Sequence, residues 1–165
     1  MVTRWIVASL ACSLALASAA RAAEPDAQMN RYFSIWADNS RVTPEAVDRL
    51  YANRVVYYGK SMTSAEVYRD KRNFIQQWPD RRYNVIPGSV SKACGQGEAS
   101  CKVFAILEWQ KSDPSAHRGS KGANTITLTL VRQNGSLKIA RESGSPVAQS
   151  SCHGGRDRWT CSGYR

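Results

Sequence analysis

The segment from Asn53 to Tyr83, NRVVYYGKSMTSAEVYRDKRNFIQQWPDRRY, limits the possible folds more than any other stretch, because it spells a strand, a turn, a capped helix and an abrupt stop in one run. Val55, Val56, Tyr57 and Tyr58 are β-branched or aromatic, which suits a half-buried pleated strand, and Gly59 ends it. Thr63 and Glu66 have the spacing of a capping box, in which the Thr hydroxyl takes a backbone N–H and the Glu reaches back to the cap's own N–H. The spacing predicts a helix from about Ser64, with Val67, Lys71, Phe74, Ile75 and Trp78 on one stripe. Pro79 closes it, since the residue before a proline disfavours the α region.

Two helices precede this segment. After a polar lead-in from Glu24 to Gln28, Met29, Tyr32, Phe33 and Trp36 fall at helical spacing, and Asp38, Asn39 and Ser40 end the run. Thr43 followed by Pro44 reads as an N-cap with proline at the first helical position, and Val47, Leu50 and Tyr51 give a second buried stripe. Strands follow. Tyr83 to Ala93 reads as one long strand with a bulge or bend at Pro87 and Gly88. Lys102 to Gln110 alternates strictly, with Val103, Ala105, Leu107 and Trp109 against Phe104, Ile106 and Glu108, as expected of a central strand covered on both faces. Ser112 to Gly122 is polar and reads as a mobile loop. Asn124 to Val131 alternates threonines with Ile126, Leu128 and Leu130, and Gln133-Asn134-Gly135 is a hairpin turn into a last strand opened by Leu137 and Ile139.

The first 22 residues read as a cleaved signal peptide: Arg4, an apolar run from Trp5 to Ala20, then small-residue sites around Ala17-Ser18-Ala19 and Ala20-Arg21-Ala22. That places the protein in the periplasm or outside the cell. The run is short for a spanning helix, and nothing later is apolar enough to cross a membrane. Cys12 raises lipid attachment, but the apolar stretch before it is very short for a lipoprotein signal. Removing the leader leaves Cys94, Cys101, Cys152 and Cys161, an even number in an oxidising compartment. Three pairings are open. The simplest joins Cys94 to Cys101 and Cys152 to Cys161, each bracketing a short Gly-containing loop; a metal site is the alternative, without the paired short spacings common in zinc sites.

Lys and Arg number 23 against 13 Asp and Glu, for +10, and loss of Arg4 and Arg21 with the leader leaves 21 minus 13, or +8. Such a balance favours anionic surfaces, but no recognition motif accompanies it, so specific nucleic-acid binding is not expected. Nor is a cofactor expected. We read one domain at residues 27–147, followed by a disulfide-stapled basic tail at 148–165.

The order helix, helix, strand, helix, then strands linked largely by hairpins resembles the nuclear transport factor 2-like superfamily, also called SnoaL-like. The best matches are the aromatic first helix ending at Trp36, Leu50-Tyr51-Ala52 leading into Val55-Val56-Tyr57-Tyr58-Gly59, and Leu137 to Glu142. The resemblance implies an α+β fold, a cone-like curved antiparallel sheet packed on three N-terminal helices, with a pocket at its open end and frequently a homodimer formed through the sheet. The superfamily holds isomerases, dehydratases and epoxide hydrolases beside members that only bind or scaffold, so fold alone assigns no activity. In its ketosteroid isomerase branch an aspartate sits near the end of the first strand. Here Tyr57 and Tyr58 stand there, which argues against the same proton transfer.

Each candidate site residue has a structural alternative. Lys71 interrupts an apolar stripe, so it either holds an anionic group or packs its stem while its head reaches water. Tyr57 and Tyr58 are expected on opposite faces of their strand, so that only one lines a pocket and the other roles are those of core tyrosines. Trp78 and the two arginines of Pro79-Asp80-Arg81-Arg82-Tyr83, Arg82 above all, suit a carboxylate or phosphate partner, or else pair with Asp80 or Glu142. Glu108 and Glu142 read as counter-ions for Lys71 or Arg82 before they read as acids or bases. His117 and His153 have no companions arranged for nucleophilic catalysis. The tail between Cys152 and Cys161 presents arginines and Trp159, residue types suited to docking or to a simple clamp. The resulting expectation is a non-enzymatic binding domain for an acidic small molecule, an envelope polymer or a protein. The alternatives are a lyase or isomerase using a tyrosine, a glutamate and Lys71, and a dimeric interaction subunit of an envelope assembly.

Overall fold

A computed structural model describes residues 24–147 and the backbones of two short strands, Cys152–Gly155 and Arg158–Cys161. The leader, Cys12 and the cleavage site lie outside the described residues. The described residues open with a helix at 24–36 (α1), a 3-10 turn at Asn39–Arg41 and a second helix at Pro44–Leu50 (α2). Glu24 to Gln28 belong to α1 rather than to a lead-in, because Gln28 is buried and its amide donates to the Leu50 carbonyl, at the end of α2.

The organising segment folds as its residues dictate, with one addition. Strand Tyr51–Tyr57 (β1) turns through Tyr58 and Gly59, both at positive φ, into a short strand Lys60–Thr63 (β2) that the sequence reading did not separate from the turn. The helix Ser64–Gln77 (α3) then starts from the complete Thr63–Glu66 capping box, and the Trp78 N–H closes its last turn on the Phe74 carbonyl. Val67 and Ile75 are its buried residues.

Strands Asp80–Val85 (β3), Ser91–Cys94 (β4), Ser100–Asp113 (β5), Arg118–Gln133 (β6) and Ser136–Ser143 (β7) complete one sheet ordered β2-β1-β7-β6-β5-β3, with β4 also on β5. β3 and β4 lie end to end along β5, so the single strand expected from Tyr83 to Ala93 is two strands that begin earlier and are broken by the Pro87-Gly88 turn. The polar run Ser112 to Gly122 is not a loop either. β5 and β6 stay paired to Asp113 and Arg118, and only a 3-10 turn at Pro114–Ala116 joins them, since the ladder's bonds are made by the backbone whatever side chains it carries. The Asn134-Gly135 turn is present with both residues at positive φ.

The result is α+β: three helices on a curved, unclosed seven-stranded sheet. The sheet is mixed rather than wholly antiparallel, because β1 and β7, far apart in sequence, pair in parallel. Val47, Leu50, Val67, Val103, Ala105, Leu128, Leu130 and Ile139 fill the space between helices and sheet. Cys94 and Cys101 are opposite each other at the β4–β5 turn and are disulfide-bonded. In the tail, the backbones of Cys152–Gly155 (β8) and Arg158–Cys161 (β9) pair antiparallel with Cys152 opposite Cys161; their proposed disulfide lies outside what is described. No helix among the described residues is long and apolar enough to cross a membrane, which leaves strand-built spans unaddressed.

Candidate functional site

The open end of the cone holds a cavity of about 300 Å³ walled by Tyr32, Phe33 and Trp36 of α1, Tyr57 and Tyr58, Phe74 of α3, Tyr83 of β3 and Trp109 of β5. The rings brace one another edge to face or tilted, with Tyr32 against Phe33 at 5.1 Å, Tyr57 against Tyr58 at 4.9 Å and Phe33 against Tyr83 at 6.4 Å. Trp109 is held by its own strand pair. It sits opposite Gly122, where a Cβ would stand 2.7 Å from the indole, and its Nε1 donates to Asn124 at 2.9 Å.

Behind this wall lies a buried carboxylate. Glu142, fully inaccessible, accepts from the hydroxyls of Tyr32 (2.8 Å) and Tyr51 and from the Lys71 ammonium (3.2 Å). A bulge puts it there. On β7, Leu137 and Ile139 face the core, so strict alternation would point Arg141 inward; Ala140 is an extra residue between Ile139, opposite Leu130, and Arg141, opposite Thr129. The parity flips and Glu142 turns in. Lys71 completes the knot, its ammonium 5.5, 4.7 and 5.4 Å from the ring centres of Tyr32, Trp36 and Tyr57. Burial first, and then the Glu142 charge, pushes the Tyr32, Tyr51 and Tyr57 phenols above their usual value, so they serve as hydrogen-bond donors and not as phenolates.

Polar groups on the remaining wall are few. Asp70 of α3 accepts from the Tyr57 hydroxyl at 3.1 Å. Arg81 of β3, only 7% exposed, donates to the carbonyls of Trp36, Trp78 and Pro79 and to Asn39 Oδ1, so it closes the chain ends after α1 and α3. Burial pulls its guanidinium below its usual value. Lys111 of β5 rests its ammonium on Phe74, Trp78 and Trp109 at 5.3, 4.4 and 5.2 Å. The indole N–H of Trp36 is buried without a hydrogen-bond partner among the described residues. No group of three or more His, Cys, Asp or Glu side chains able to hold a metal occurs among those residues.

Of the residues singled out from sequence, Tyr57, Tyr58 and Lys71 line the cavity and Glu142 stands behind it as the Lys71 counter-ion. Tyr57 and Tyr58 do not diverge. Tyr58 leaves the strand at φ 45, with its N–H on the Glu142 carbonyl, and its ring swings back beside that of Tyr57. Trp78, Arg82 and Glu108 lie outside the cavity. Trp78 stacks between Lys111 and Arg118, Arg82 is exposed beside an open recess with Asp38 and Asn39, and Glu108 accepts from Asn84 at the surface and pairs with neither Lys71 nor Arg82. Asp70, Lys111 and Trp36 are cavity residues that the sequence does not single out, and of the two arginines that it does, Arg81 rather than Arg82 lines the cavity. Strand parity could have found Arg81, because Tyr83, an aromatic two residues on, had to share its face.

No protein-family profile and no curated protein sequence matches the chain. Solved structures do. A nuclear transport factor 2-like superfamily protein from Salmonella enterica is similar over 81% of this chain and 96% of its own, with TM-score 0.65 and 8% identity. A candidate scytalone dehydratase from Novosphingobium aromaticivorans covers 90% of this chain and 91% of its own at TM-score 0.65 and 10% identity. A ketosteroid isomerase-like protein from Erwinia carotovora covers 76% and 95% at TM-score 0.57 and 16% identity. Likeness at such identities is likeness of fold, and together with the mixed sheet on three helices it shows that this chain has the nuclear transport factor 2-like fold.

Proposed function

We infer that the protein is an exported binding domain that holds an acidic small molecule with a planar, apolar body in the cavity of its cone. One observation carries the reading: the cavity wall is built of aromatic rings contributed by α1, α3 and the sheet. The cations Lys71, Arg81 and Lys111 in the wall, against Asp70 alone among carboxylates, favour an acid over a base. Export is supported by Arg4 and the apolar run that follows it, and the Cys94–Cys101 bridge is the chemistry of an oxidising compartment. Quenching of Trp36 and Trp109 emission on titration with 2-naphthoate tests the reading. Saturation at one ligand per chain is the expected result; linear, unsaturable quenching would sink it.

A second reading, a lyase or isomerase on the same fold, is favoured by the Asp70 carboxylate held 3.1 Å from Tyr57 in the wall, a base beside a hydroxyl. It predicts enzyme-dependent wash-in of solvent deuterium at the methyl group of 2-acetonaphthone, lost in Asp70→Asn. Wash-in no faster than in buffer rejects it for ketones of that shape.

A further inference from the structure

Arg81 on β3 and Lys111 on β5 are direct cross-strand partners, and both line the cavity. Two like charges opposite each other on one face of an antiparallel pair repel, so a folded protein that keeps them there needs a compensating group. Among the described residues the Asp80 carboxylate acts on Arg81, but neither cation forms an ion pair. The hydrogen bonds that Arg81 donates to Trp36, Trp78, Pro79 and Asn39 all go to neutral oxygens. Among the described residues Lys111 has no hydrogen-bond or ion-pair partner, and its three donors are uncommitted while the ammonium rests on ring faces. The carboxylates around the cavity are already engaged: Asp70 by Tyr57, Glu142 by Lys71 and two tyrosines, and Asp113, two residues beyond Lys111, by Arg118. Lys71, by contrast, already has its counter-ion and so adds little net charge to the cavity.

We propose that the Arg81–Lys111 pair is the anion site of the cavity, that it takes the carboxylate of an aromatic acid whose ring lies among Phe33, Trp36, Tyr83 and Trp109, and that Lys111 sets the preference for acid over neutral ligand. This deepens the binding reading above and rests on it. Arg81 supplies a fixed charge, its guanidinium being pinned by the carbonyls that end α1 and α3. Lys111 supplies the adjustable contact: a flexible stem lets its ammonium leave the rings of Phe74, Trp78 and Trp109 for a charge-assisted bond to the acid. The two cations then share one anion and cease to repel.

The test compares 2-naphthoate with 2-naphthamide, neutral and nearly the same shape, by calorimetric titration of the wild-type protein, Lys111→Met and Lys111→Arg. Met keeps the stem and its ring contacts, so folding is preserved, while the charge is lost. The wild type is expected to bind the acid about tenfold more tightly than the amide. Lys111→Met brings the two affinities together, and Lys111→Arg restores the preference. Added salt weakens the acid alone. Equal affinity for acid and amide in the wild type, or a preference that survives in Lys111→Met, overturns the anion site while leaving the cavity as a ligand pocket. Failure of both compounds to bind the wild type overturns the binding reading itself.

Discussion

Glu142 shows how much one side chain can organise. Its carboxylate ties α1 through Tyr32, the start of β1 through Tyr51 and α3 through Lys71, and its backbone carbonyl takes the Tyr58 N–H. Removing it leaves the Lys71 ammonium against aromatic rings with no counter-ion, the costly case for a buried pair. Glu142→Leu is therefore expected to lose about 3–5 kcal/mol in urea unfolding. The Glu142→Leu, Lys71→Met double variant should lose less than the sum of the two single losses, and additive losses would show that the two residues do not act as a pair. The phenols give a second residue-level expectation. Folding raises the pKa values of Tyr32, Tyr51 and Tyr57 above 10.0, the value of the group in a solvated chain, so above that pH the unfolded chain releases protons that the folded one keeps. Their contribution is complete below about pH 9 and declines as pH rises beyond about 10. The urea midpoint should follow that course, and Tyr51→Phe should make the alkaline decline shallower; an unchanged slope would remove Tyr51 from the account.

Elements place these residues, and here the sequence was readable in parts. The capping box, the α3 stripe, the Pro79 stop and the Asn134-Gly135 hairpin are local chemistry, visible in single residues and their spacing. Thr63→Ala should accordingly cost about 1 kcal/mol in the same unfolding assay. What escaped was parity. The extra residue Ala140 turns Glu142 inward, and the positive φ at Tyr58 returns a ring that alternation would send away; neither carries a spacing signal, because bulges and left-handed turns are fixed by pairing partners distant in sequence. The opposition of Arg81 and Lys111 was hidden for a related reason, since it exists only in the β3–β5 register. The Trp109–Gly122 pair is testable at this scale. Gly122→Ala places a methyl group in the space the indole occupies, and because only the indole has to move, the fold is expected to persist while affinity for 2-naphthoate falls. Unaltered affinity would show that Trp109 does not shape the ligand's seat.

The whole molecule is a cone whose sheet is closed on one side by three helices, with β4 and β5 joined at their turn by the Cys94–Cys101 bridge and a cavity at the open end. Its composition fits that design: the interior carries Val, Leu and Ile along the sheet and concentrates tyrosine and tryptophan where the helices part from it. The cavity is a property of the fold's open end and of the rings that line it. Both the binding reading and the anion site require that this space be occupied by a molecule the protein can hold through purification. The most direct measurement is a native mass spectrum of protein purified without denaturation, taken as isolated and again after equilibration with 2-naphthoate. A single non-covalent adduct per chain that dissociates on unfolding is expected. Spectra showing only the bare chain under both conditions would contradict it.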